Sequence, residues 1–205
     1  MYQHYVFDID GTLMDSEAAA LPSLQRAARE LSGREFPPEE LCGLFGLSAE
    51  DTMARLGIGD VKAGRALWIR YIADYRHLMK LYDGIVPALE GLKARGASLG
   101  IITSKFLDEY ERDFPPMGIS HLFDTVVTAS DSAEHKPKPG PMLAYLSKTG
   151  ARPEQVVYIG DTSFDMDCGR GAGVAHALAL WGRRGDDPAI EATCRLETPA
   201  QILEL

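Results

Sequence analysis

The sequence predicts an α/β fold: a doubly wound, mainly parallel sheet with a small helical domain inserted after its first strand. Three observations carry that prediction. From Gly84 onward, short apolar runs alternate with helix-length segments, the pattern of a parallel sheet with helices on both faces. A single strand-like run at residues 5–9 comes well before them. The interval between, roughly sixty residues by pattern alone, looks helical throughout. The expected division is an α/β core of residues 1–15 and 82–205 and a helical cap of residues 16–81.

The elements follow in order. Tyr5, Phe7 and Ile9 make the first strand apolar. A helix is expected over 16–31, with Leu21, Leu24, Ala28 and Leu31 on one face and Ser16 as its N-cap. Beyond Gly33 the chain turns at Pro37-Pro38, and Asp60 opens the longest helix. Its Trp68, Tyr71, Ile72, Tyr75, Leu78 and Met79 recur at spacings of three and four, which reads as core packing rather than a ligand platform. After Tyr82-Asp83-Gly84, Pro87 can open a helix that Gly96 ends. Strand SLGIIT, a helix over 105–114 and strand DTVVTA come next. The Pro-rich HKPKPGP leads into a helix ending near Gly150. Strand QVVYI, a helix over 162–172, strand VAHALAL and a short helix capped by Thr198-Pro199 complete the chain.

Composition narrows the function. Residues number 205, with 45% hydrophobic and 25% charged, the proportions of a globular protein with one good core and a small addition. The net charge of −9 opposes general nucleic-acid binding, whose footprint is basic. The odd set of Cys42, Cys168 and Cys194 reads as reduced thiols in a cytoplasmic protein. The N-terminus MYQHYVF lacks the layout of a signal peptide, and no apolar run approaches membrane-spanning length.

In parallel sheets, ligands bind beyond the carboxyl ends of the strands, at the switch in strand order. Those ends carry Asp8 and Asp10, then Thr103 and Ser104, then Lys136, then Asp161 and Asp165. Each has a bland reading. Asp-Gly suits a hairpin, but LMDSEAAALPSL looks helical. Asp161 or Thr162 suits a helix cap, Thr103 and Ser104 a helix start, and Lys136 a solvated loop. Their joint placement at successive strand ends is what those readings leave unexplained. Carboxylates around one lysine suit a hard cation such as Mg²⁺, which leaves room for a substrate phosphate. A carboxylate also serves as a nucleophile toward phosphorus. Attack of one anion on another costs about 4 kcal/mol per like-charge pair at 4 Å and an effective dielectric near 20. A metal, a lysine and polar hydrogens therefore have to surround the phosphoryl group.

Taken together, DIDGT at 8–12, Thr103-Ser104, Lys136-Pro137 and GDTSFD at 160–165 resemble the haloacid dehalogenase superfamily of phosphatases and phosphomutases. The resemblance spans nearly the whole chain, in the family's motif order. The insert is similar to the family's small helical cap. ALWG and TPAQILEL are similar to the phosphoglycolate phosphatase and pyrophosphatase branch. The resemblance implies that Asp8 is the nucleophile and an Mg²⁺ ligand, and that Asp10 gives a backbone carbonyl to the metal. The Asp10 side chain would be the general acid and base. Thr103 and the Ser104 N–H would hold the phosphoryl oxygens, and Lys136 would neutralise charge, with Lys138 as the fallback. Asp161 would bind Mg²⁺ directly; Asp165 would join that site through water or by holding a ligand. The implied partner is a small phosphorylated metabolite, neither a nucleic acid nor a membrane.

Four other readings compete. Asp10 opposes dehalogenase and phosphonatase chemistry, since those members lack an acid there. Related sugar phosphomutases carry a cap arginine after serine in a G-x-S-R-E stretch; here GLSAED puts Ala49 in that place. Other cap cations are Arg55, Lys62, Arg65, Arg70 and Arg76. A receiver-type phosphoacceptor module has adjacent acids on its first strand and no helical insert, unlike this chain. GRGAGV at 169–174 follows a helix and lacks dinucleotide-binding spacing, so its glycines end that helix; Cys168 beside it is packing.

Overall fold

The computed structural model describes residues 1–182 and 188–205. The strands are β1 (His4–Phe7), β2 (Met14–Asp15), β3 (Lys80–Leu81), β4 (Ser98–Ile102), β5 (Thr125–Val127), β6 (Val156–Gly160), β7 (Ala175–Ala179) and β8 (Cys194–Leu196). The helices are α1 (Glu17–Ser32), α2 (Pro38–Cys42), α3 (Ala49–Arg55), α4 (Val61–Tyr75), α5 (Ile85–Ala94), α6 (Leu107–Asp113), α7 (Gly140–Thr149) and α8 (Ser163–Gly171).

Six strands form one parallel sheet in the order β5-β4-β1-β6-β7-β8. Strand β1 lies between β4 and β6, with Phe7 opposite Ile101 on one side and Ile159 on the other. Its central place explains its sequence: Tyr5, Val6 and Phe7 are all buried, because helices cover both faces. Tyr5 and Phe7 pack with Ile85, Leu89 and Leu92 of α5 and with Phe114. Val6 packs on the other face with Met142 and Tyr145 of α7 and Cys168 of α8. The chain fills one side of β1 with β4 and β5, then the other with β6, β7 and β8. The switch in strand order therefore falls at the tip of β1.

Helices α1 to α4 lie between β2 and β3 and build a core of their own. Leu24, Ala27 and Ala28 of α1 meet Met53, Leu56, Ile58 and Tyr71 there. Among the described residues, no helix is long and apolar enough to cross a membrane.

Several expectations shift. Segment 16–81 is not wholly helical: Lys80 and Leu81 pair antiparallel with Asp15 and Met14 in a two-stranded ribbon at the root of the insertion. A two-residue strand leaves no periodicity to read. Strand β8 is also unannounced, because Cys194-Arg195-Leu196 carries no apolar run. Ser16 occupies the N-cap position of α1 without making a side-chain cap; its hydroxyl donates to Asp10 Oδ1 at 2.6 Å instead. Leu31 and Leu78 are exposed, at the ends of their stripes. The last helix is a 3₁₀ segment, Pro199–Glu204.

Gly100 in β4 lets α7 approach the sheet. A Cβ there would sit 2.3 Å from Cε2 of Tyr145, a fully buried ring. Gly100→Ala should destabilise the protein by about 1–3 kcal/mol through overpacking. Urea unfolding tests this; an unchanged midpoint would mean that the ring yields freely.

Candidate active site

Sequence places four chemical segments at strand ends; the sheet brings them together. Asp8 follows β1, and its N–H donates to the Ile159 carbonyl at 2.9 Å. Gly11 then turns the chain with φ 85°, a conformation that suits glycine. A Cβ at Gly11 would lie 2.2 Å from Asp161 Oδ2. The glycine thus permits contact between the loop after β1 and the end of β6. Thr12 completes that contact, donating from Oγ1 to Asp161 Oδ1 at 3.0 Å.

Lys136 joins the remaining carboxylates. Its Nζ donates to Asp8 Oδ1 at 2.9 Å and to Asp165 Oδ1 at 2.7 Å, with all three side chains buried. Lys138 lies outside this group, exposed and 3.5 Å from Glu134. Asp165 is held from four directions. Besides Lys136, Tyr158 donates its hydroxyl to Oδ1 at 2.8 Å, and Thr162 donates its N–H and hydroxyl to Oδ2 at 3.0 and 2.6 Å. Two bonds on each oxygen use the usual acceptor capacity of a carboxylate. Thr162, rather than Asp161, caps α8, accepting the Asp165 N–H.

Charge in this group is unbalanced. Three buried carboxylates face one ammonium. Burial pushes the Asp8 carboxyl up to about 7, against the opposing pull of Lys136, while Asp165 and Asp10 add to the rise. Burial drives Asp161 well above the carboxylate range, with Asp165 and Asp8 adding to it. Burial also penalises Asp165, but Lys136, Thr162 and Tyr158 hold it below its ordinary value. Lys136 stays charged: desolvation opposes it, and Asp165 and Asp8 more than offset that. One oxygen from each of Asp8, Asp161 and Asp165 falls within 4.8 Å of the others. An all-oxygen, buried, electron-rich cluster of this kind suits a hard divalent cation.

Asp10, Ser104 and an apolar face of the helical insertion share a pocket with Asp8. The insertion contributes Leu21, Leu24, Leu44, Phe45, Trp68 and Ile72. Trp68 and Ile72 therefore serve the pocket as well as packing. Thr103 is buried behind Ser104, its Oγ1 accepting the Lys105 N–H at 3.2 Å. Ser104 donates its hydroxyl to the Gly46 carbonyl at 2.7 Å, a contact to the helical insertion.

Sequence reasoning missed Lys105. Its Nζ is 3.2 Å from Asp10 Oδ2 and 3.5 Å from the buried Asp113. Burial opposes its charge, but Asp10, Asp113 and Glu109 hold its pKa above the ordinary lysine value. Its position two residues past Thr103 was the available signal, masked by its reading as the start of a helix.

Residues 5–179 match the haloacid dehalogenase-like hydrolase family. The chain belongs to that family. This hydrolase is 30% identical over 179 residues to a phosphoglycolate phosphatase of Aquifex aeolicus, covering 86% of this chain and 84% of that one. It is 29% identical over 184 residues to pyrophosphatase PpaX of Bacillus pumilus, covering 89% and 85%. A Lactobacillus plantarum structure, proposed to be a phosphoglycolate phosphatase, superposes with TM-score 0.90 at 30% identity, covering 100% of this chain and 99% of that one.

Lys136→Met removes the only cation bonded to Asp8 among the described residues and leaves buried charge uncompensated. The expected loss is about 3–5 kcal/mol in the metal-free protein near neutral pH, read by urea unfolding. The loss should shrink as the pH falls below 7, because protonating Asp8 removes the stranded charge. A loss independent of pH would show that the lysine contributes packing alone.

Proposed function

We propose that this hydrolase is a Mg²⁺-dependent phosphatase that cleaves a small phosphate monoester of the phosphoglycolate type, or a phosphoanhydride, through an aspartyl phosphate. The observation that carries this reading is the buried Lys136 bridge between Asp8 and Asp165, beside Asp161 and below the pocket that also holds Asp10. The names of its relatives support the substrate class: one is a phosphoglycolate phosphatase and another a pyrophosphatase.

In this reading Asp8 attacks phosphorus, and the bond to the leaving oxygen breaks as the new bond forms. Asp10 gives its proton to the leaving oxygen, then takes one from the water that hydrolyses the acyl phosphate. Thr103 and the Ser104 N–H hold the phosphoryl oxygens, and Lys136 offsets the charge between Asp8 and the phosphate. Asp8, Asp161 and the Asp10 carbonyl hold Mg²⁺. When bound, Mg²⁺ supplies charge neutralisation between the nucleophile and the phosphoryl oxygens. Asp165, with four hydrogen bonds already accepted, fits a supporting role that fixes Lys136 and the start of α8.

Residues 16–81 act as a cap over a core of residues 1–15 and 82–205, hinged where β2 and β3 meet the core. Closure over the substrate excludes water and selects the leaving group. A cytoplasmic setting fits the three free cysteines.

Mutase chemistry has less support. Ala49 lines the pocket where a phosphate-gripping arginine was sought, and none of the described residues lining that pocket is an arginine. Arg65 and Arg76 face α6 instead, paired with Glu109 and Asp113. Arg55 lies over the Phe164 ring.

Phosphate release from phosphoglycolate, pyrophosphate, sugar phosphates and nucleotides should require Mg²⁺. Asp8→Asn should abolish turnover while leaving substrate binding measurable. Near-normal turnover, with deamidation excluded, would sink the nucleophile assignment.

Proton competition gives a second test. Mg²⁺ binds the ionised carboxylates, so rising pH removes the competitor from Asp8 and Asp161. The Mg²⁺-induced rise in melting temperature should be small near about pH 5.5 and larger near about pH 8. An increment that shrinks with rising pH would contradict this site.

A further inference from the structure

Asp10 is the group whose position matters most to proton transfer, and its two oxygens are held separately. Ser16 donates to Oδ1 at 2.6 Å. Lys105 reaches Oδ2 at 3.2 Å, with 12% of its side chain exposed. Lys105 is in turn anchored to Asp113, 3.5 Å away and fully buried. Asp113 is gripped in a fork by Arg112, at 2.8 and 2.6 Å. A line of alternating charge therefore runs from α6 to the Asp10 carboxyl. A hydrogen bond on one oxygen and an ion pair on the other hold the plane of a carboxyl group more firmly than either contact alone.

We propose that Lys105 is a positioning residue for Asp10: braced by Asp113, it orients the Asp10 carboxyl toward the leaving oxygen of the substrate. This rests on the phosphatase reading above and adds to it a residue that touches neither phosphorus nor metal. Lys105 lines the pocket, but its charge is committed to two protein carboxylates, which leaves it poorly suited to grip a substrate anion.

The step that Lys105 serves has a chemical signature. The Asp8 oxygen forms a bond to phosphorus, the bond to the leaving oxygen breaks, and its electron pair accepts the Asp10 proton. An alkoxide needs that proton as it departs. A nitrophenolate does not, because it is a weak base. Loss of Asp10 orientation must therefore slow alkyl esters selectively.

The experiment measures kcat and KM for an alkyl phosphate and for p-nitrophenyl phosphate, with saturating Mg²⁺, in wild type, Asp10→Asn, Lys105→Met and Lys105→Arg. Lys105→Met keeps the stem of the side chain and leaves Asp113 paired with Arg112, so cooperative melting is expected. For Lys105→Met, kcat/KM, which reports the steps up to formation of the aspartyl phosphate, should fall about a hundredfold on the alkyl ester and less than about threefold on the aryl ester; kcat also carries the shared hydrolysis step that Asp10 assists. Asp10→Asn should show the same bias, and Lys105→Arg should restore part of the alkyl activity. Equal losses of kcat/KM on both esters, or a raised KM at unchanged kcat, would overturn the positioning role while the phosphatase reading stands. A wild type that hydrolyses neither these esters nor any of the phosphates named above would overturn both. If Lys105→Met fails to melt cooperatively, Lys105→Gln, which keeps a donor toward Asp113, carries the same comparison and the same criteria.

Discussion

The Lys136 ammonium between Asp8 and Asp165 is the interaction on which the site depends. All three groups are buried. Moving them out of water is costly, and their attraction repays that cost only with good geometry and satisfied neighbours. Tyr158 and Thr162 supply those neighbours from β6 and from the start of α8. The ammonium thus ties together the tip of β1, the loop before α7 and the first turn of α8. It is worth less as a source of stability than as a means of fixing one geometry.

Within that frame the carboxylates divide. Asp165 is fully hydrogen-bonded and held below its usual pKa, while burial raises Asp8 and Asp161. The saturated one is suited to support, and the two raised ones to a cation that removes their repulsion. The electrostatic strain at this site falls on Asp8 and Asp161.

The pocket above is asymmetric. Its floor is polar and comes from the loops at the strand ends; its roof is mostly aliphatic and aromatic and comes from the helical insertion. The two sides meet through polar contacts, Ser104 to Gly46, His135 to Asp51, Arg65 to Asp108 and Glu109, and Arg76 to Asp113, and through apolar ones, with Ala19, Ile72 and Met79 of the insertion packed among the residues of the core. The insertion also has a cluster of its own, around Leu24, Met53 and Tyr71.

Sequence alone determined the fold class and set Asp8, Asp10, Thr103, Ser104, Asp161 and Asp165 near strand ends, because apolar strand runs mark their own ends and parallel sheets gather those ends. It did not reveal β8 or the β2–β3 ribbon, since strands that short have no period and exist only through pairing with distant chain. Nor did it reveal Lys105, whose neighbours Asp10 and Asp113 lie on different elements. Ser16 takes the N-cap position as read, but its side chain does not cap, for a similar reason: its hydroxyl goes to Asp10. Even the choice of Lys136 over Lys138 rested on resemblance until the backbone turned one ammonium into the site and the other into solvent. Local pattern sets which segments are strands and helices. Which charges meet inside depends on long-range packing, where burial strengthens every pairing and penalises every omission.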